Sequence, residues 1–233
     1  MGFIDDIKED QKMQIQALCV VFFLLAFPSY FFLKAAATDN PSGMGGVGSY
    51  TVTADFTYID FASGEEPIQD GSPFTLDLNT DSVDAAGKNI VGVLVTMTYD
   101  EDEAVSGGPQ CNLAGGQDAP DTITGTAMHA EFTNSSDGQN QGGSGSHDVS
   151  TVWYNSSVIG DKIEGLSESE ITERLDSNGA GLGDYTIEIS VAAQAGNAPP
   201  TCSRSDNGED VSYTVQLIVL DFEITPYVEI EDI

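Results

Sequence analysis

Hydrophobic and polar positions change their rhythm twice along this chain. Residues 17–33 carry no charge at all, and over 15–37 only Gln16 and Lys34 interrupt the apolar run. At about 1.5 Å of rise per residue such a segment spans a hydrocarbon core of about 30 Å, so the pattern predicts a transmembrane helix over 15–37. Pro28 is a kink position within it, while Tyr30 and Lys34 can reach an interface. Ala35, Ala36 and Ala37 would also suit a signal-peptidase site. Against cleavage stand the length of the run, Lys34 between run and site, and the acids Asp5, Asp6, Glu9 and Asp10 in the leading segment. A retained anchor is therefore expected, with residues 1–14 as a short cytoplasmic segment.

Residues 38–48 are rich in Gly, Ser and Pro and read as a tether. Beyond them the period becomes two. Tyr50, Val52, Ala54, Phe56 and Tyr58 alternate with Thr51, Thr53, Asp55 and Thr57, the pattern of a half-buried strand. Further strands are expected at 74–79, 90–99, 122–133, 149–155, 185–193 and 211–222, separated by Gly, Asn, Asp and Pro clusters. Ser167 to Glu170 forms a capping box ahead of one short helix. Residues 49–233 are thus expected to be mainly β, an antiparallel sandwich with a single connecting helix.

Charge narrows the range of partners. The chain holds 38 acids against 7 bases, a formal charge of −31, and all but four of those acids lie beyond Ala37. Such a surface repels phosphate backbones, which argues against nucleic acid, and it lacks the basic patch that anionic lipid headgroups attract. The 23 Asp, 15 Glu and scarce Lys resemble the surfaces of salt-adapted microbes, archaeal or bacterial. Lys8 and Lys12 favour a cytoplasmic N-terminus. Cys111 and Cys202 are the only cysteines outside the apolar run, an even pair of the kind found in oxidising compartments. Asn134 and Asn155 each open an Asn-Ser-Ser glycosylation sequon. These features place the C-terminal domain outside the cytoplasm.

The last third carries the most specific motif, Gly183-Asp184-Tyr185-Thr186-Ile187-Glu188-Ile189, followed after a polar loop by the alternating run at 211–217. It resembles the tyrosine corner and terminal hairpin of immunoglobulin-like and PKD-like sandwiches. The resemblance implies that the Tyr185 hydroxyl satisfies nearby backbone, and that Trp153 is a core residue. The segment at Trp153 departs from the PKD signature, and no cysteine follows Tyr185 by two residues, so the likeness is to an architecture and to no specific family. That architecture also implies that strands 90–99 and 185–193 run the same way in facing sheets. Cys111 and Cys202 would then meet in a disulfide between two long apical loops, with the tether entering at the opposite pole. Two free structural thiols are the alternative.

Candidate chemistry is sparse. The apical loops hold Asp100, Glu101, Asp102, Glu103, Asp118 and Asp121 on one side and Asp206, Glu209 and Asp210 on the other; Asp100, Asp102, Asp206 and Asp210 among them are a candidate Ca²⁺ site, although acids cluster readily in a chain with this composition. His129 falls in a strand, and His147 in the Gly-, Ser- and Gln-rich stretch 134–148, which is expected to be mobile. No Gly-x-Ser-x-Gly, Cys-x-x-Cys or phosphate-binding Gly-rich loop occurs, so no enzyme and no catalytic residue is expected. The expected function is a single-pass, membrane-anchored, extracytoplasmic module that binds or adheres to a protein, glycan or envelope component. The alternative is a subunit of an envelope, pilus-like or archaellum-stator-like assembly, which an N-terminal membrane helix followed by a sandwich resembles. In that case the strand at 211–222, or the tail 223–233 with its edge-type Pro226, would be an edge that pairs with a neighbour.

Overall fold

A computed structural model describes residues 22–23, 46–100, 103–107, 111, 119–140 and 143–229. The expected membrane helix, apart from Phe22 and Phe23, and the acid Asp102 lie outside the described residues. Among the described residues, no helix is long and apolar enough to cross a membrane. The chain divides into two compact units, residues 1–47 and 48–233.

The second unit is mainly β, built from antiparallel sheets with one short α-helix. Its strands are β1 (Gly48–Gln69), β2 (Phe74–Asn79), β3 (Ile90–Asp100), β4 (Ala104–Ser106), β5 (Thr122–His129) and β6 (Phe132–Gln139). They continue with β7 (Ser144–Val152), β8 (Gly160–Leu166), the helix α1 (Glu168–Leu175), β9 (Asp184–Ala192), β10 (Ser203–Ser205) and β11 (Gly208–Pro226). A five-stranded sheet has the order β7-β3-β11-β1-β8, and a four-stranded sheet the order β2-β9-β5-β6. One core lies between them. Val93, Val95, Met97 and Tyr99 of β3 and Val211, Tyr213, Val215 and Leu217 of β11 meet Ile123 and Ala127 of β5 and Tyr185, Ile187, Ile189 and Val191 of β9. Strict alternation on β9 and β5 produces this, because odd-numbered residues turn inward while Thr124, Thr126, Thr186 and Glu188 face outward.

Where the alternation fails, the sheet is covered on both faces. Leu217, Ile218, Val219 and Leu220 are all buried in succession, as are Ile90 and Val91. The reason is α1, whose Ile171 and Leu175 pack with Val52, Val91, Val158, Ile218 and Leu220 on the outer face of the five-stranded sheet. The helix starts at the predicted capping box: Ser167 Oγ accepts from the Glu170 amide at 3.3 Å, and the Glu170 carboxylate accepts from the Ser167 amide at 2.8 Å. Tyr50, Val52, Ala54 and Phe56 belong to this outer cluster, so the apolar stripe read at the start of β1 does not face the sandwich core. Odd-numbered Ile59 faces the inner core on the other side of that strand, and a register shift between Asp60 and Ala62, at Phe61, then exchanges the faces so that even-numbered Ala62 and Ile68 also reach it.

Three expectations are corrected by the pairing. Residues 122–133 are not one strand but a hairpin, β5–β6, turning at Ala130 and Glu131. Ala130 adopts φ +48°, a left-handed conformation that its Cβ resists. Ala130→Gly should raise stability by up to about 1 kcal/mol, read as a higher urea midpoint at unchanged slope. Residues 134–148, expected to be mobile, supply most of β6 and the start of β7, because each strand is laddered along its length, β6 to β5 and β7 to β3. The glycines there are packing positions: a Cβ on Gly138 would overlap the Tyr99 hydroxyl and the His147 ring, and one on Gly145 the ring of Tyr99. Finally, β11 is not an edge. It lies between β3 and β1, and the sheet edges are β7 and β8 in one sheet and β2 and β6 in the other.

Candidate functional site

The poles of the second unit follow from register. Tyr50 pairs with Pro226 at one end of the β1–β11 ladder, and Gln69 with Gly208 at the other. β3 ends beside the second pole, where Tyr99 pairs with Val211, and β9 ends there too, with Ala192 opposite Thr122. The long connections after β3 and after β9 therefore emerge together, far from Gly48.

They are joined covalently. Cys111 and Cys202 form a disulfide with Cα atoms 5.6 Å apart, closing a sequence separation of 91 residues. Beside it β4 and β10 make a two-stranded sheet, Ser106 opposite Ser203 with their hydroxyls 2.7 Å apart. Arg204 Nη1 donates to Glu103 Oε2 at 2.9 Å, and the Glu103 side chain is 1 % exposed. The other Glu103 oxygen accepts from the Gly196 amide at 2.6 Å, so the pair holds β4, β10 and the loop after β9 together.

A second polar cluster lies beneath. Asp121, fully buried, accepts from the Gln194 amide at 2.6 Å, and its own amide donates to Asn140 Oδ1 at 2.8 Å. Asn140 Nδ2 donates in turn to Glu209 Oε1 at 2.7 Å. The Asp121 carboxyl sits against those of Glu209 and Asp206, and its Oδ2 is buried with no donor to meet it among the described residues. Burial is the main force pushing the Asp121 carboxyl above the usual carboxylate range; the Glu209 side chain and then the Gln194 amide oppose it, and Asp206 adds to it. Burial, then the Glu209 carboxylate, likewise raises the Tyr99 phenol. The Tyr99 hydroxyl lies 3.2 Å from His147 Nδ1, which places His147 in a defined network.

Of the expected apical acids, the structure brings Asp121, Asp206 and Glu209 together and sets Asp100 and Asp210 apart from them. Asp100 and Asp210 line an open groove of about 570 Å³ with Glu65 and Tyr99. Asp206 turns inward instead, against Asp121. Among the described residues no group of three or more His, Cys, Asp or Glu side chains is arranged to hold a metal ion. Tyr185 is buried, and its hydroxyl donates to the Gly181 carbonyl at 2.7 Å. Trp153 donates to the Ile90 carbonyl at 2.9 Å and stacks on Phe132. His129 packs face to face on Tyr185, centroids 4.0 Å apart, with Nδ1 2.9 Å from the Asp184 carbonyl and Nε2 2.6 Å from that of Ala180. Asn134 and Asn155 are both exposed, the first in β6 and the second in a tight turn after β7. Sequence reasoning overlooked Arg204 and Asn140. Arg204 carried a usable signal, since only four bases follow Ala37 and a lone cation among so many acids invites a buried partner.

No family model matches the chain, and no curated protein matches it. Among solved structures, a chain from Desmodium yellow mottle tymovirus aligns over 78 % of this chain and 92 % of its own, at 11 % identity and a TM-score of 0.24. A likeness at that score carries no argument. The class defined by the fold and the site is therefore a mainly β, antiparallel, disulfide-bridged unit.

Proposed function

We propose that the chain is a single-pass, membrane-anchored module whose second unit lies outside the cytoplasm and binds or adheres through its disulfide-bridged pole, without catalysis. The observation that carries this reading is the Cys111–Cys202 bridge, which fastens two long connections at the pole opposite Gly48. A bridge of this kind suits an oxidising compartment, and the apolar run at 17–33 supplies the anchor. Loops held on a rigid scaffold are where recognition usually resides. Both histidines have their ring nitrogens engaged, which favours binding over acid–base chemistry. The immunoglobulin-like reading of the sheets belongs here too, and the Tyr185–Gly181 bond and the packed Trp153 support it.

The partner is an extracytoplasmic protein or glycan. It meets the groove beside Asp100 and Asp210, so reversing both charges (Asp100→Lys, Asp210→Lys) should weaken binding of residues 48–233 to an envelope fraction at least about tenfold, since each rim charge contributes of the order of 1 kcal/mol. Reversal of the exposed Asp221 and Glu223 near the other pole should leave it unchanged. Equal losses from both pairs would point to bulk charge, and protection of the domain from protease in intact cells would remove the outward topology.

A further inference from the structure

The two sequons are alike in sequence and unlike in structure. Asn134 lies inside β6, where its Nδ2 donates to the Ser150 carbonyl at 2.7 Å. Its sequon partner Ser136 is two residues along the same extended strand, and no hydrogen bond joins the two side chains among the described residues. Asn155 opens a 3-10 turn at Ser156–Val158. Its Oδ1 accepts from the Ser157 amide at 3.0 Å and from the Ser157 hydroxyl at 2.7 Å. Those two bonds fix the amide plane and leave Nδ2 without a hydrogen bond among the described residues, while Asn155, Ser156 and Ser157 are all exposed. The turn is anchored beneath, since the Asn155 amide donates to the Arg174 carbonyl at the end of α1 and Val158 is buried.

We propose that Asn155, and not Asn134, is the N-glycosylation site of this protein. The proposal rests on the extracytoplasmic reading above, because the donor sugars and their transferase are met outside the cytoplasm. In the transfer, Asn155 Nδ2 attacks the anomeric carbon of a lipid-phosphate-linked glycan. The N–C bond forms, the C–O bond to phosphate breaks with the electron pair leaving on phosphate, and the amide proton passes to a base of the transferase. No oxidation or reduction occurs. The Ser157 hydroxyl, already on the Asn155 side chain, is the group whose place in the sequon the turn explains. A glycan here would stand beside Phe56 and Tyr154, whose rings are 5.6 Å apart on the outer face of the five-stranded sheet.

The test is intact mass and glycopeptide mapping of full-length protein recovered from native membranes, alongside protease accessibility in intact cells. The expected result is one glycan at Asn155. It should be lost in Asn155→Gln and in Ser157→Ala, kept in Ser157→Thr, and unaffected by Asn134→Gln. The conservative Ser157→Thr variant guards against a folding defect, because it keeps both the hydroxyl and the turn. An unmodified Asn155 on a domain that is protease-accessible in intact cells overturns the glycosylation proposal and leaves the topology standing. A glycan at Asn134 alone also overturns it. A protected domain with unmodified Asn155 and free thiols overturns both readings.

Discussion

Reducing the Cys111–Cys202 bridge, or replacing both residues by Ser, lowers the thermal midpoint of residues 48–233 by about 10 °C. The bridge closes 91 residues of sequence, and restricting a loop of that length in the unfolded chain stabilises the folded state by about 4 kcal/mol. For a unit of this size each kcal/mol moves the midpoint by about 2–4 °C. The loss should be concentrated at one pole. β4 and β10 are only three residues each and pair only with each other, so without the bridge they depend on the Glu103–Arg204 pair and the Ser106–Ser203 contact. Amide exchange in Ala104–Ser106 and Ser203–Ser205 should therefore quicken far more than in β3 or β9. Calorimetry under oxidising and reducing conditions checks the first expectation. A shift below about 3 °C would mean that the loops hold their arrangement without the bridge.

Asp121→Asn is expected to stabilise at pH 7.5, which is unusual for a buried polar residue. Burial raises the Asp121 carboxyl, and the Asp206 charge raises it further, so the folded state holds that proton more tightly than the unfolded chain does. Stability from this group is complete below the unfolded carboxylate value of about 3.9 and falls as pH climbs through the folded-state value. Asn keeps the shape, carries no charge, and turns an acceptor into a donor facing Asp206 and Glu209. Relief of one unmatched buried group is of the order of 1–3 kcal/mol. The gap between variant and wild type should therefore be widest near pH 7.5 and close toward pH 4, as read from urea midpoints. The opposite pattern, with the variant weaker at pH 7.5 and only the wild type gaining stability from added Ca²⁺, would place a cation among these carboxyls.

Strands with one apolar face were legible from sequence. β2, β3 and β9 begin and end within about a residue of their expected limits, because the sandwich core demands period two and Val, Ile and Leu supply it. Other strands gave no such signal. β6 and the first part of β7 are rich in Gly, Ser, Asn and Gln, and β8 is Gly-Asp-Lys-Ile-Glu-Gly-Leu, so long-range laddering outweighs local preference in these strands. The β5–β6 turn was hidden for a related reason, since Ala130-Glu131 lacks the Asn-Gly or Gly that a two-residue hairpin normally displays. β1 extends past Tyr58 through Gly64 and Pro67, a composition that reads as loop and becomes strand only against β11. In the candidate site the cysteine pair could be read from its count outside the apolar run together with the architecture that the Tyr185 motif resembles. Asp121 and Glu209 could be placed among the acids of the apical loops but not told from the others there, because their burial depends on where β5, β6 and β11 end relative to one another.

The β1–β11 ladder also determines how the second unit carries a pull. Gly48 leaves β1 at one pole, while the bridged loops feed into Gly208 of β11 at the other, and the two strands run antiparallel with nineteen paired positions between them. A tension applied between Gly48 and a ligand on the bridged pole therefore acts along both strands in opposite senses. The hydrogen bonds lie across that direction, so they are loaded together in shear instead of being peeled apart one at a time from an end. The architecture is that of a tie rod, stiffest along the line joining Gly48 to the bridged pole.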